Sequence, residues 1–234
     1  MNADDVARTI DHSLLKAEAT ADQIDALCDE ACTYGFKAVC VNPVHVRQAA
    51  DRLSAHRHGP HDSPAPVVVS VAGFPLGASN TAVKADEARR AIDEGATEID
   101  MVANLGALID GDLSTVQKDI ETVARVVHQT CRSAILKVIL ETRILSGEQI
   151  IVACRCCRDG GADFVKTSTG FHPAGGATVE HVRLLHRHAS PMLVKAAGGI
   201  RTAEQALAML EAGAARLGTS SGVAIVNGLR HTVS

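Results

Sequence analysis

The sequence predicts an α/β fold of TIM (β/α)₈ barrel type, a single domain over residues 1–234, on three observations: a repeated helix–glycine–strand unit, strands apolar on both faces, and about eight such strands. The repeated unit is an apolar pattern at helical spacing, a glycine that stops it, and a short β-branched run a few residues on. Residues 34–41, 94–102, 160–166 and 212–218 are clear copies. Glycine at a helix C-terminus supplies the left-handed conformation that releases the last carbonyls and turns the chain back, so the run that follows is a strand. Helix starts are marked as well. Thr20 with Gln23, Ser146 with Gln149 and Thr202 with Gln205 fit the capping box, and after Thr20 the residues Ile24, Leu27, Cys28 and Ala31 build one apolar face.

Candidate strands lie near residues 8–12, 38–42, 67–73, 98–103, 134–140, 164–168, 193–197 and 215–218. Residues 67–71 and 134–140 are nearly continuous in apolar side chains, which a parallel sheet covered on both faces requires. The units average about 29 residues, inside the range of a (β/α)₈ barrel. A doubly wound open sheet is the alternative; it calls for a glycine-rich fingerprint after the first strand, and residues 11–15 contain none.

A hydrophobic content of 46% gives one sizeable core, and a net charge of -4 with a pI near 6.2 offers no basic field for nucleic acid and no polybasic segment for a membrane surface. The start of the chain is acidic and lacks an apolar leader run, and no stretch approaches the roughly 18 apolar residues that cross a bilayer. The expectation is a cytoplasmic protein acting on a small molecule. Seven cysteines, several inside apolar runs as Cys40 is, fit reduced buried thiols. Cys154, Cys156 and Cys157 fall in a helix pattern without a second ligand pair. His56, His58 and His61 fall among Gly59, Pro60, Ser63 and Pro64, a solvated turn. Neither group is read as a metal site, and no metal is expected.

Lysine and aspartate are depleted in strands, yet four successive strands carry one: Asp100, Lys137, Lys166 and Lys195. The lysines are spaced 29 and 29 (166 minus 137, 195 minus 166), which predicts equivalent positions on strands five, six and seven and three amines converging at one barrel mouth. A nearby ammonium and partial desolvation lower a lysine pKa and free an amine to attack a carbonyl, while Asp100 offsets charge and moves protons. The competing possibility is lysines that point outward, snorkel to the rim or form a passive network. Three in register beside an aspartate favour chemistry, although strand parity is not legible in two-faced apolar strands.

Residues 196–201 follow strand seven, and residues 217–222 follow strand eight and open the last helix. Loops after the last two barrel strands commonly bind phosphate through free amides and a helix N-terminus; glycine allows close approach, and Ser220 and Ser221 add hydroxyls. Ser168, Thr169 and Gly170 offer small donors on the adjoining loop.

These segments resemble the deoxyribose-phosphate aldolases. The likeness runs through Ile10-Asp-His-Ser-Leu-Leu-Lys16, Val39-Cys-Val-Asn-Pro43, Gly73-Phe-Pro-Leu-Gly77, Glu98-Ile-Asp100, Leu136-Lys-Val-Ile-Leu-Glu-Thr142, Phe164-Val-Lys-Thr-Ser-Thr-Gly-Phe171, Gly175-Gly-Ala-Thr178, Val194-Lys-Ala-Ala-Gly-Gly-Ile-Arg201 and Leu217-Gly-Thr-Ser-Ser221, nearly the whole chain. The resemblance implies a class I Schiff-base aldolase that cleaves 2-deoxy-D-ribose 5-phosphate reversibly to acetaldehyde and D-glyceraldehyde 3-phosphate, with no metal or other cofactor. It implies Lys166 as the imine lysine and Lys195 and Asp100 as proton donor and acceptor groups. It places Gly170, Gly198, Gly199, Gly218, Ser220 and Ser221 at the substrate phosphate. It also implies a homo-oligomer, dimer or tetramer. Ser13 and Ala17 stand where members often have threonine and proline. Some members carry a C-terminal tail ending in tyrosine; the one tyrosine here is Tyr34, so that contribution to proton transfer is expected to be missing. A phosphate-binding isomerase or synthase, which needs no imine lysine, and a non-catalytic sugar-phosphate binder remain the other readings.

Overall fold

In the computed structural model, which describes residues 1–56 and 65–231, eight parallel strands close into one barrel in sequence order. They are β1 (Ile10–Leu14), β2 (Ala38–Val41), β3 (Val67–Ala72), β4 (Glu98–Val102), β5 (Ile135–Ile139), β6 (Phe164–Lys166), β7 (Leu193–Ala197) and β8 (Arg216–Thr219). A short helix α1 (Ala3–Ala7) precedes β1. The crossovers are α2 (Ala21–Tyr34), α3 (Val46–Ala55), α4 (Thr81–Asp93), the pair α5 (Leu105–Asp110) and α6 (Leu113–Thr130), then α7 (Gly147–Asp159), α8 (Val179–Ala189) and α9 (Ala203–Glu211), with α10 (Gly222–His231) after β8.

The local signals act as expected. All three predicted capping boxes form, and Gly35 ends α2 in the left-handed conformation at φ 67. Ile24, Leu27, Cys28 and Ala31 are the buried face of α2; burying Ile24 and Leu27 contributes about 1.5–3 kcal/mol each. The first strand lies later than the predicted 8–12. Asn2 and Asp5 form a further capping box that starts α1, and the Thr9 amide donates back to Val6 O, so the β conformation begins at Ile10. β7 has its predicted bounds, β2, β3, β4 and β6 start where predicted, and the remaining strand ends move by a residue or two. Cys154, Cys156 and Cys157 pack on the buried face of α7. His56 ends α3 and pairs with Asp29 at 2.8 Å; His58, His61 and the rest of that predicted turn lie outside the described residues. Among the described residues no helix is long and apolar enough to cross a membrane.

Register decides what faces the lumen, because residues paired across a ladder share a face of the sheet. Asp11 pairs with Ala38, Cys40 with Val69, Val69 with Glu98, Val71 with Asp100, and Asp100 with Lys137. Lys166 pairs with Lys195, and Lys195 with Arg216. The lumen is therefore divided. Its β2–β3 wall is a separate apolar cluster of Ala38, Cys40, Val69 and Val71, whereas β4 to β8 and β1 line it with charge. The opposite strand faces, including Ile10, Val39, Ile99, Leu136 and Val165, join the helices in the main core.

Candidate active site

Asp100 is the hub of the charged wall. It is fully buried in the middle of β4, and its Oδ2 accepts hydrogen bonds from Lys166 Nζ and from Lys195 Nζ, each at 2.7 Å, while Oδ1 accepts from Lys137 Nζ at 3.1 Å. Burial alone pushes its carboxyl pKa up, but Lys137, Lys166 and Lys195 outweigh that and hold it well below the usual carboxylate range.

The network extends beyond these four residues. Lys137 also pairs with Glu98 at 2.5 Å, and Lys195 also pairs with Asp11. Arg216, at the start of β8, donates through Nε to Asp11 Oδ1 at 2.9 Å and reaches Glu98 through Nη1 at 3.2 Å and Nη2 at 3.1 Å. Followed around, Arg216, Asp11, Lys195, Asp100, Lys137 and Glu98 make a closed ring in which cation and anion alternate. Lys166 is attached to this ring at Asp100 and stands outside it. Carboxylates on both sides set the state of Lys195: burial would lower its pKa, yet Asp100 and Asp11 outweigh burial and keep it protonated above its ordinary range. Asp11 is brought down to about 2 by Lys195, Arg216 and Lys137 against the upward push of burial.

Two sequence expectations are corrected here. Lys137 is not level with the other lysines: it pairs with Phe164, two residues before Lys166, and lies one layer deeper. Equal spacing along the chain does not give equal height, because tilted barrel strands are staggered. The amines also do not crowd together at the mouth offset by one aspartate. They converge on Asp100 in the lumen, and Glu98 and Asp11 add two more carboxylates.

Of the three lysines, Lys166 alone lines the pocket above the ring, at the C-terminal end of β6. The pocket walls are the end of β1 and the residues after it (Ser13 to Lys16), the segment after β6 (Thr169 to Phe171), and those from Ala197 to Arg201 and from Gly218 to Ser220. The structure thus brings Gly170, Gly198, Gly199, Gly218 and Ser220 around one space. Ser221 is not on that wall; it starts the last helix with its amide donated to Thr219 Oγ1 at 2.9 Å. Gly198, at φ 89, runs against the backbone of Gly170 and Gly176, and a Cβ on Gly176 would fall 2.1 Å from Gly198 O. Only glycine permits that approach of the β6 and β7 loops.

Asp11, Glu98, Arg216, Lys16 and Arg201 went unselected in the sequence. The rule that singled out Asp100 reaches the first three, each a charged residue within a strand. Lys16 and Arg201 had as their signal only their place just after β1 and β7.

A family model described as "DeoC/LacD family aldolase" matches residues 6–228. The deoxyribose-phosphate aldolase of Thermococcus gammatolerans is 56% identical over 97% of this chain and 97% of its own length. That of Brevibacillus brevis is 51% identical over 96% of each. Among solved structures, a tetrameric deoxyribose phosphate aldolase from Aeropyrum pernix superposes with a TM-score of 0.88 at 31% identity, covering 98% of this chain and 93% of that one.

Proposed function

We propose that this chain, which belongs to the DeoC/LacD family of aldolases, cleaves 2-deoxy-D-ribose 5-phosphate reversibly into acetaldehyde and D-glyceraldehyde 3-phosphate through an imine on Lys166. The observation that carries this reading is the position of Lys166: it is the one lysine of the buried cluster on the pocket wall, and the one outside the ring. The ring itself is balanced at three cations and three anions (Arg216, Lys195, Lys137 against Asp11, Asp100, Glu98), so its members are paired among themselves and Lys166 is joined to it at Asp100 alone.

The amine adds to C1 of the open-chain sugar, and loss of water gives a protonated imine whose positive charge lies beside Asp100. The C3 hydroxyl gives up its proton, the C2–C3 bond breaks, and its electron pair moves toward the imine nitrogen, leaving an enamine and releasing glyceraldehyde 3-phosphate. Protonation of C2 and hydrolysis return acetaldehyde and the lysine. Lys195, kept as an ammonium by Asp11 and Asp100, is the proton donor, and the Asp100 carboxylate is the acceptor and counter-charge. The phosphate sits among Gly170, Gly198, Gly199, Gly218 and Ser220, with Ser221 contributing from the helix start. Lys16 and Arg201 supply cations at its edge. None of these steps calls for a metal.

The reading extends to a single-domain, cytoplasmic homo-oligomer in deoxyribose phosphate breakdown; the tetramer named for the Aeropyrum pernix relative supports the oligomer. The test is borohydride reduction with deoxyribose 5-phosphate or acetaldehyde, followed by peptide mass mapping against a no-substrate control. A substrate-dependent adduct on Lys166 is expected. An adduct confined to Lys137 or Lys195 overturns the nucleophile, and no adduct from an active preparation overturns the imine mechanism.

A further inference from the structure

Glu141 has no part in the chemistry above, yet it is almost completely buried at the catalytic end of the barrel, just beyond β5. It is the only non-glycine residue with positive φ among the described residues, at φ 52 and ψ 55. A residue with a Cβ is held there against its steric preference. The neighbouring backbone holds it: the Leu140 amide donates to Lys166 O at 3.0 Å and the Thr142 amide to Thr167 O at 2.9 Å, so the chain on both sides is fastened to the residues around the proposed nucleophile. No lysine, arginine or histidine nitrogen lies within ion-pair distance of the carboxyl among the described residues.

What the carboxyl does hold is the next loop. Its Oε2 accepts from the amide of Thr169 at 3.2 Å and from the Thr169 hydroxyl; that hydroxyl oxygen in turn accepts from the Phe171 amide at 3.1 Å. Gly170, in the left-handed region at φ 83, is therefore strung between Thr169, bound to the carboxyl, and Phe171, bound to the Thr169 hydroxyl. Its Cβ position lies 3.5 Å from Gly198 Cα, so its place is set against the β7 loop across the pocket. Among the described residues, Glu141 Oε1 and the Ser168 hydroxyl are buried without a hydrogen-bond partner.

We propose that Glu141 is the positioning residue of the phosphate site, fixing Thr169 and Phe171 so that the Gly170 segment faces Gly198, Gly199 and Ser220. It acts on recognition of the phosphate and not on imine formation. This rests on the reading of the substrate as a phosphorylated sugar. It accounts for a left-handed glutamate at this point: from the backbone conformation it holds, its carboxyl reaches both the amide and the hydroxyl of Thr169.

The experiment compares the wild type with Glu141→Gln, which keeps an acceptor oxygen, and Glu141→Ala, which keeps none. Steady-state constants are measured for deoxyribose 5-phosphate and unphosphorylated 2-deoxyribose, inorganic phosphate binding by calorimetry, and acetaldehyde trapping by borohydride. For Glu141→Ala, KM for the phosphorylated sugar and Kd for inorganic phosphate are expected to rise roughly tenfold or more, while kcat/KM for 2-deoxyribose and the Lys166 adduct stay within about threefold. Glu141→Gln is expected to stay near wild type in all four readouts. If alanine fails to fold, Glu141→Asn replaces it, since asparagine tolerates the left-handed conformation but is one methylene short; it should behave as alanine does. Equal losses on both sugars, or loss of the acetaldehyde adduct, would overturn the proposal in favour of general support of the barrel. A wild type that binds inorganic phosphate but does not turn over deoxyribose 5-phosphate overturns the substrate reading instead, and the calorimetry still decides the role of Glu141. A wild type that binds no phosphate overturns the proposal itself.

Discussion

Lys166 and Lys195 face each other across the β6–β7 ladder and donate to the same oxygen, Asp100 Oδ2, at equal distances of 2.7 Å. One oxygen thus joins the proposed nucleophile to the proposed proton donor, and the two lysines are distinguished only by their other neighbours: pocket for Lys166, Asp11 for Lys195. Lys166→Arg keeps the charge but cannot form an imine, so it should show no trapped adduct and no measurable turnover. Lys195→Met should lower kcat by about 10²–10⁴, the usual contribution of a positioned acid, while the adduct still forms on Lys166. Mass mapping of both variants checks this. A folded Lys195→Met protein without adduct would reverse the two assignments.

Lys137 is fully buried, absent from the pocket wall, and held between Glu98 and Asp100. Lys137→Met opens the ring, leaving Asp100 to Lys166 and Lys195 and Glu98 to Arg216. Breaking a buried pair from one side costs about 3–5 kcal/mol, to be read from urea unfolding. Turnover per folded molecule should stay near the wild-type value. A specific activity lost along with the Lys166 adduct, in protein shown to be folded, would make Lys137 part of the chemistry.

Stability should fall in acid over a defined window. The Asp11 pKa is lowered from its ordinary 3.8 to about 2: burial pushes it up, and Lys195, Arg216 and Lys137 more than reverse that. A carboxyl depressed in the folded state contributes stability that is fully present above 3.8 and lost as pH falls toward about 2. Asp11 alone accounts for on the order of 2 kcal/mol, and Asp100, held well below the usual carboxylate range by Lys137, Lys166 and Lys195 against the upward push of burial, acts in the same direction. The exposed pairs of Asp86 with Arg89 and Arg90 also depress a carboxyl, but added salt screens them and leaves the buried ring nearly unaffected. Urea midpoints in high salt that stay flat from pH ~4 to ~2 would contradict this account.

A second buried pair lies away from the pocket and serves as a control. Lys84 on α4 meets Asp119 on α6 at 2.7 Å and donates to Val102 O at 2.9 Å, with Thr81 Oγ1 donating to the same carboxylate. Lys84→Met should destabilise the fold by about 3–5 kcal/mol by stranding Asp119, and the double variant Lys84→Met/Asp119→Leu should recover much of that loss. The Lys166 adduct and KM should be unchanged in both. A double variant no more stable than the single one would contradict the stranded charge as the source of the loss.

Where local chemistry was sufficient, the sequence was readable. The boxes at Thr20, Ser146 and Thr202 formed because a cap depends on residues three apart, and the α2 face was legible because helical spacing is local. Strand ends were less so: α1, built by Asn2 and Asp5, shifted β1, and β6 stops at Lys166. Glu141 carried no special signal, since a left-handed glutamate is imposed by backbone bonds to residues 166 and 167 and cannot be read from its neighbours.

By itself the sequence determined an eight-stranded parallel barrel, a run of charged residues inside its strands, and glycine-rich segments after its last strands, because periodicity, capping and glycine stops are properties of neighbouring residues. Only the tertiary structure decided the height of each charge. The stagger of closed, tilted strands put Lys137 a layer below Lys166. Barrel closure brought Arg216 to Asp11, 205 residues away, and so completed a ring that leaves Lys166 as the one buried cluster lysine facing the pocket.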